Sequence, residues 1–211
     1  MRTYIDEEAL MKLIQRQGYL DFLRRNRNRP IVKVVSGIRR CGKSTLFRLF
    51  KDELLSDGVK PEQIIFINFE ELEYEHLRDY HALYQYILER MQPDEMNYIF
   101  LDEIQHVDQF HRVVDSLFVK ENTDLYITGS NAYFMSSDIA TLLTGRYVEI
   151  QMLPLSFSEF YYSKYDGNQY SLIPAYESYL RESSFPYTQQ LGGEDFDIQE
   201  YLRGLYNTLL L

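Results

Sequence analysis

Apolar residues along the chain fall into two rhythms. Compact apolar runs occur at residues 31–35, 64–69, 98–101 and 125–127, and residues 147–152 form a further short apolar-rich stretch. Runs of this kind are what strands covered on both faces look like, since neither face has to meet water. Between them, apolar residues recur at three- and four-residue spacing, the period of a helix with one buried face. Leu46, Phe47, Leu49, Phe50 and Leu54 make one such stripe, and Leu77, Leu83, Tyr84, Ile87, Leu88 and Met91 make another over residues 76–91. Further helices are expected over 107–120 and 132–143, the second stopped by Thr144-Gly145. Ahead of the first strand, residues 6–25 carry Leu10, Leu13, Ile14, Leu20 and Leu23 near helical spacing, interrupted by Gly18, and Pro30 opens the strand.

Strand and helix in alternation predict the α/β class: a three-layer α/β/α fold on a central five-stranded parallel sheet, with its ligand at the carboxyl edge of the strands. From Leu153-Pro154 the pattern changes. Ser156 and Glu159 stand three apart like a capping box before an aromatic helix, and helical pieces follow at 176–181 and 198–211. This divides the chain into an N-terminal helical segment (1–29), a core (30–154) and a small, incomplete helical lid (155–211). The apolar helical pattern still running at Thr208-Leu209-Leu210-Leu211 points to a piece of a longer polypeptide.

Composition adds an ordinary globular balance of 45% hydrophobic and 26% charged residues. The net charge of −10 is unevenly spread: residues 1–60 hold 14 Lys and Arg against 7 Asp and Glu, and the rest hold 8 against 25. Those balances, +7 and −17, put anion binding in the first part and argue against an extended nucleic-acid groove on the second. A single cysteine, Cys41, excludes an internal disulfide and fits a reducing compartment. The polar N-terminus and the lack of a bilayer-length apolar run make a cytoplasmic chain without membrane contact the expectation. His76 and His81, and His106 and His111, are each five apart and so diverge around a helix, which disfavours zinc.

The candidate chemistry begins at Gly37-Ile38-Arg39-Arg40-Cys41-Gly42-Lys43-Ser44-Thr45, a full match to G-x-x-x-x-G-K-[ST] between the first strand and the next helix. The glycines let backbone N–H groups turn towards phosphate oxygens, Lys43 reaches the outer phosphates, and the Ser44 hydroxyl can ligate Mg²⁺. Cys41 need contribute only its backbone. Fifty-nine residues after Lys43, the run at 98–101 ends in Asp102 and Glu103. Asp102 can hold Mg²⁺ beside Ser44, while Glu103 can orient or deprotonate an attacking water. The fourth strand ends in small polar groups, Ser130 and Asn131 among them, able to touch the terminal phosphate or the water. Arg146 stands before the fifth strand, where it can neutralise charge on a transferring phosphoryl group.

Together these segments, with Ile99-Phe100-Leu101-Asp102-Glu103-Ile104-Gln105, Ile127-Thr128-Gly129-Ser130-Asn131-Ala132, Thr144-Gly145-Arg146-Tyr147 and Leu153-Pro154-Leu155-Ser156-Phe157-Ser158-Glu159-Phe160, resemble the AAA+ ATPases. They look most like a prokaryotic branch that carries a nuclease-like domain of unknown function after the ATPase module. The resemblance implies ATP and Mg²⁺ as cofactors, a Walker A motif at residues 37–45 and a Walker B motif at Asp102 and Glu103. It further implies Ser130 or Asn131 as a first sensor, Arg146 as an arginine finger acting within its own subunit or in a homo-oligomer, and Asn68 as a polar residue restraining the catalytic glutamate. Where members often have Gly-Gly-Phe-Pro, this chain has Ser183-Ser184-Phe185-Pro186, and a second sensor arginine is not evident. A protein or DNA target engaged through regions beyond Leu211 also follows from the resemblance.

The expected activity is Mg-dependent ATP hydrolysis driving a conformational change. The alternatives are a nucleotide-dependent switch or adaptor with little turnover, acting through a partner or a missing C-terminal domain, and a small-molecule P-loop kinase. The acidic second part, with its few arginines, argues against the kinase.

Overall fold

A computed structural model describes residues 14, 16–129, 143, 145–165, 170–191 and 195–209. They form two units, one from Gln17 to Met152 and the other from the described parts of 1–16 and 153–211. No helix among the described residues is long and apolar enough to cross a membrane.

In the first unit, helix α1 (Gln17–Asn26) precedes strand β1 (Val32–Gly37), helix α2 (Lys43–Ser56), β2 (Ile64–Asn68), α3 (Tyr80–Arg90), β3 (Asn97–Asp102), α4 (Phe110–Phe118), β4 (Thr123–Gly129) and β5 (Tyr147–Met152). The strands form one five-stranded sheet in the order β2-β3-β4-β1-β5, all pairs parallel. Side chains alternate across each strand, so the apolar runs feed two separate cores. Val32, Val34, Ile65, Ile67, Ile99, Leu101, Leu125 and Ile127 pack with α3 and α4 on one face. Val35, Tyr98, Phe100, Tyr126 and Met152 pack with Leu20 and Leu23 of α1 and with Leu46, Phe47, Phe50 and Leu54 of α2 on the other. This is the expected three-layer α/β/α arrangement, with α1 grouped with the sheet.

The second core is an aromatic stack. Phe100 lies 4.7 Å from Tyr126 in near-parallel planes, and Phe47 meets Phe100 edge-on at 5.3 Å. Edge and offset contacts of this kind are worth about 0.5–1.5 kcal/mol beyond area burial. They hold α2, the helix that follows the glycine-rich loop, against the two central strands.

Several element bounds differ from the sequence reading for local reasons. The helix expected over 76–91 is split into a 3₁₀ segment (Leu72–Leu77) and α3, because Asp79 caps α3 by accepting a hydrogen bond from Ala82 N at 2.9 Å. The one expected over 107–120 starts only at Phe110, after a 3₁₀ turn at Ile104–His106 and a left-handed Gln109. The helix expected over 132–143 lies outside the described residues, apart from the buried Leu143.

The second unit holds α5 (Phe157–Tyr165), α6 (Leu172–Glu182) and α7 (Asp195–Leu209). The capping box at the start of α5 is present: Glu159 N donates to Ser156 Oγ at 3.2 Å, and Ser156 N donates back to Glu159 Oε2 at 2.8 Å. Arg16 adds a two-pronged contact, its Nε and Nη2 donating to Glu159 Oε1 and Oε2 at 2.8 and 3.1 Å.

At the edge of the sheet where β1 begins lies a polar group that periodicity did not single out. Lys33 and Asp124 form an ion pair with both side chains 0% exposed. Asp124 also accepts from Tyr126 Oη at 2.7 Å and Asn28 N at 2.8 Å, and Lys33 Nζ donates to Arg29 O at 2.8 Å. Burial pulls the Lys33 pKa below the usual lysine range, against the opposing charge of Asp124. Lys33→Met would leave a buried carboxylate unpaired, and breaking such a pair costs about 3–5 kcal/mol. Urea denaturation should therefore show a clear fall in midpoint for this variant, and an unchanged midpoint would refute the structural role assigned to the pair.

Candidate functional site

β1 runs directly into the loop, and the loop's first residue has no room for a side chain. Gly37 has φ 149°, and a Cβ there would meet Met152 O of β5 at 2.2 Å. Arg40 and Gly42 take left-handed φ values of 66° and 103°, turning the chain over the site before α2 starts at Lys43. No side chain caps the N-terminus of α2 and its first turn holds no acid. Its first amides are therefore available to an anion, which the helix dipole also favours.

Lys43 is 3% exposed. Its Nζ donates to Gly37 O at 3.2 Å and Ile38 O at 3.3 Å, and lies 3.2 Å from Glu103 Oε1. The loop thus wraps its own lysine and joins it to the second motif. Cys41 is buried beneath the loop, and Arg39 on its outer side pairs with Glu70 at 2.7 Å.

The second motif is placed by β3. Asn68 pairs with Asp102 in register, and β4 lies on the other side of β3, with Leu101 facing Ile127. One step further along, the Thr128 hydroxyl donates to Asp102 Oδ1 and accepts from Glu103 N at 2.9 Å. The chain then turns through Glu103 at φ 56°, a left-handed conformation that costs a non-glycine residue on the order of 1–3 kcal/mol. Glu103 Oε2 accepts from Gln105 Nε2 at 2.6 Å.

Asp102 is 0% exposed, and its Oδ2 is buried without a hydrogen bond in good geometry, although the Ser44 hydroxyl adjoins the carboxylate. Desolvation raises the Asp102 pKa, the Ser44 and Thr128 hydroxyls and Lys43 opposing it and the Glu103 charge adding to it. A buried carboxylate oxygen without a donor, next to a hydroxyl, is a pair of hard oxygen donors that suits Mg²⁺. The residues present fit the ion.

Other residues singled out in the sequence sit elsewhere. Asn68 stands beside Asp102 in the sheet, but its Nδ2 donates to Glu71 Oε1 at 3.2 Å and its Oδ1 accepts from Glu70 N at 3.1 Å, so its side chain caps the following turn and does not hold Glu103. Arg146 O accepts from Val32 N at 2.8 Å, next to the first residue of β1. The loop follows the last residue of that strand, five residues on, or about 17 Å at roughly 3.3 Å per residue. Arg146 therefore lies at the opposite edge of the sheet from its own loop, where Nη1 meets Asp115 Oδ1 at 3.0 Å and the guanidinium lies over Phe118. That placement leaves Arg146 about a strand's length from its own loop. Ser130 and Asn131 lie outside the described residues. Thr128 and Gln105 went unassigned in the sequence. Thr128 becomes recognisable only once β4 is known to lie between β1 and β3, and Gln105 only once the turn after Glu103 is known to fold its side chain back.

A parallel sheet with a glycine-rich phosphate loop after its first strand and an Asp-Glu pair at the end of its third defines a P-loop nucleotide-binding domain. The family model described as AAA domain matches residues 29–161, and the chain belongs to that family. Over 176 residues it is 42% identical to an uncharacterized protein of Haemophilus influenzae, covering 82% of this chain and 44% of that one. An uncharacterized protein of Methanocaldococcus jannaschii is 30% identical over 191 residues, covering 83% and 41%. The chain thus spans less than half the length of the curated relatives it matches. Among solved structures, a Walker-type ATPase of Pyrococcus abyssi aligns with a TM-score of 0.64 at 16% identity, covering 100% of this chain and 76% of that one. AMPPCP-bound DnaA from Aquifex aeolicus aligns at 0.55 and 12% identity, covering 81% and 56%. At these identities the structural likeness speaks for the fold alone.

Thr128→Val keeps volume while removing the contacts to Asp102 and the Glu103 amide. Partners of this kind typically carry about 10–100-fold in metal affinity. A fluorescent-nucleotide titration against Mg²⁺ should show a loss in that range, with little change when Mg²⁺ is absent. Unaltered Mg²⁺ dependence would refute the role given to Thr128.

Proposed function

We propose that this AAA module binds ATP with Mg²⁺ and hydrolyses the γ-phosphate to drive a conformational change. The observation that supports this reading is the 3.2 Å approach of Lys43 Nζ to Glu103 Oε1, since it brings together the two side chains to which phosphate binding and water activation are assigned. The first amides of α2 and Lys43 hold the outer phosphates. Ser44 and Asp102 would hold Mg²⁺, which would supply positive charge to offset that of the phosphates. Glu103 orients a water in line with the γ-phosphorus and takes its proton. The water oxygen bonds to phosphorus as the bond to the bridging oxygen breaks, giving ADP and inorganic phosphate.

Phosphate oxygens compete with Glu103 for Lys43, so substrate binding itself frees a carboxylate oxygen for the water. Ser130 and Asn131 would sense the terminal phosphate. Arg146, remote from its own loop, acts on the nucleotide of a neighbouring copy in a homo-oligomer. In a polypeptide as long as the relatives, a nuclease-like domain beyond Leu211 would carry the contact with a protein or DNA target.

Glu103→Gln should bind ATP within a few-fold of wild type and lose about 10²–10⁴-fold in turnover, the range for a general base. Single-turnover phosphate release measures this, and undiminished release sinks the assignment. Binding without release in the wild type would favour the switch reading instead. Arg146→Ala should lower turnover by about 10³-fold or more with little loss of ATP affinity. Mixing it with Lys43→Ala should restore part of the activity, because the lysine variant can lend its Arg146 to an intact loop. No recovery on mixing would rule out action between copies.

A further inference from the structure

Among the described residues, the carboxylate that faces the water in the proposed hydrolysis meets Lys43 of the phosphate loop and also Gln105, which belongs to neither phosphate motif. Glu103 Oε1 meets Lys43 and Oε2 accepts from Gln105 Nε2 at 2.6 Å. Asn68, which the family resemblance places in a restraining role, is committed to the turn at Glu70 and Glu71. Thr128 holds the backbone N–H of Glu103 and leaves its carboxylate to other partners. We propose that Gln105 is a positioning residue for Glu103, keeping its carboxylate oriented when substrate phosphate takes Lys43 away. This rests on the hydrolytic reading above.

The contact with Gln105 has a task that the contact with Lys43 cannot perform. A carboxylate anchored through Lys43 alone would lose that anchor at the moment ATP arrives. It could then turn with its side-chain torsions away from the water. With Oε2 retained by Gln105, the group stays oriented when Lys43 turns to phosphate. The 3₁₀ turn that brings Gln105 back to Glu103 is anchored by Ile104 and Val107, which are 0% and 2% exposed, whereas Gln105 is only partly buried. Changing residue 105 therefore removes the hydrogen bond while the apolar anchors of the turn remain.

The test compares Gln105→Ala with Gln105→Glu, which keeps the volume but replaces the donor with an acceptor facing Glu103. Both should lose about 10–100-fold in kcat, the usual range for a residue acting through another, with KM for ATP and affinity for ADP within about twofold. Affinity for ADP with aluminium fluoride, which mimics the transferring phosphoryl group, should fall by a similar factor, a readout that needs no turnover. A packing role would lower ADP affinity and thermal midpoint together and would spare Gln105→Glu, and that pattern overturns the inference. Variants that keep wild-type kcat and a wild-type ratio of fluoride-complex to ADP affinity overturn it too, while leaving hydrolysis intact. A wild-type protein that binds ATP and never turns it over overturns both.

Discussion

Parallel strands can pair only if each connection crosses a face of the sheet and returns, so every strand of such a sheet ends on the same edge. In this chain that constraint gathers the end of β1, the end of β3 and the end of β4 into a single row of backbone termini. The order of strands matters as much as their direction. Because β4 separates β1 from β3, the two motifs leave a strand's width between them, and Thr128 occupies that width by bonding Asp102 and the Glu103 amide together. Lys43 then crosses from the loop to Glu103 and closes the arrangement.

The two edges of the same sheet treat buried charge in opposite ways. Where the strands start, Lys33 and Asp124 neutralise one another, and Tyr126, Asn28 and Arg29 satisfy their remaining bonds. Such a group has nothing left to offer a ligand. Where the strands end, Asp102 keeps a buried oxygen without a donor and pays a raised pKa for it. Uncompensated burial of a carboxylate oxygen is unfavourable, and on the proposed reading Mg²⁺ would answer it. The contrast between the two clusters is one of unmet valence, and it holds without reference to either sequence motif.

Much of this was legible in the sequence, and what was not has a common cause. Apolar runs and helical stripes predicted the layers because burial on two faces or one leaves a periodic trace in composition, as at residues 64–69 and in the Leu46-to-Leu54 stripe. The loop and the Asp102-Glu103 pair were legible because phosphate and metal chemistry demand particular residue types at fixed spacing. Strand order leaves no such trace. It decides that Thr128 is the β4 hydroxyl that reaches Asp102, and that Arg146 stands a strand's length from its own loop. Side-chain direction is equally silent, so the return of Gln105 to Glu103 after its left-handed turn and the turn of Asn68 towards Glu70 and Glu71 emerge only in the folded chain.

The contact between Gly37 and the end of β5 has a mechanical meaning. With Met152 O where a methyl group on Gly37 would have to be, the loop rests on that strand with no slack. β5 is the outermost strand of the described sheet, paired to β1 from Val32↔Tyr147 through Gly37↔Met152, and Arg146 is attached at its far end. A six-residue rod thus has one end seated on the first glycine of the phosphate cradle and the other at the residue facing away from it. Any side chain at residue 37 would have to lift the loop off the end of that rod, so the seat of the loop on the sheet depends on a bare hydrogen at one position.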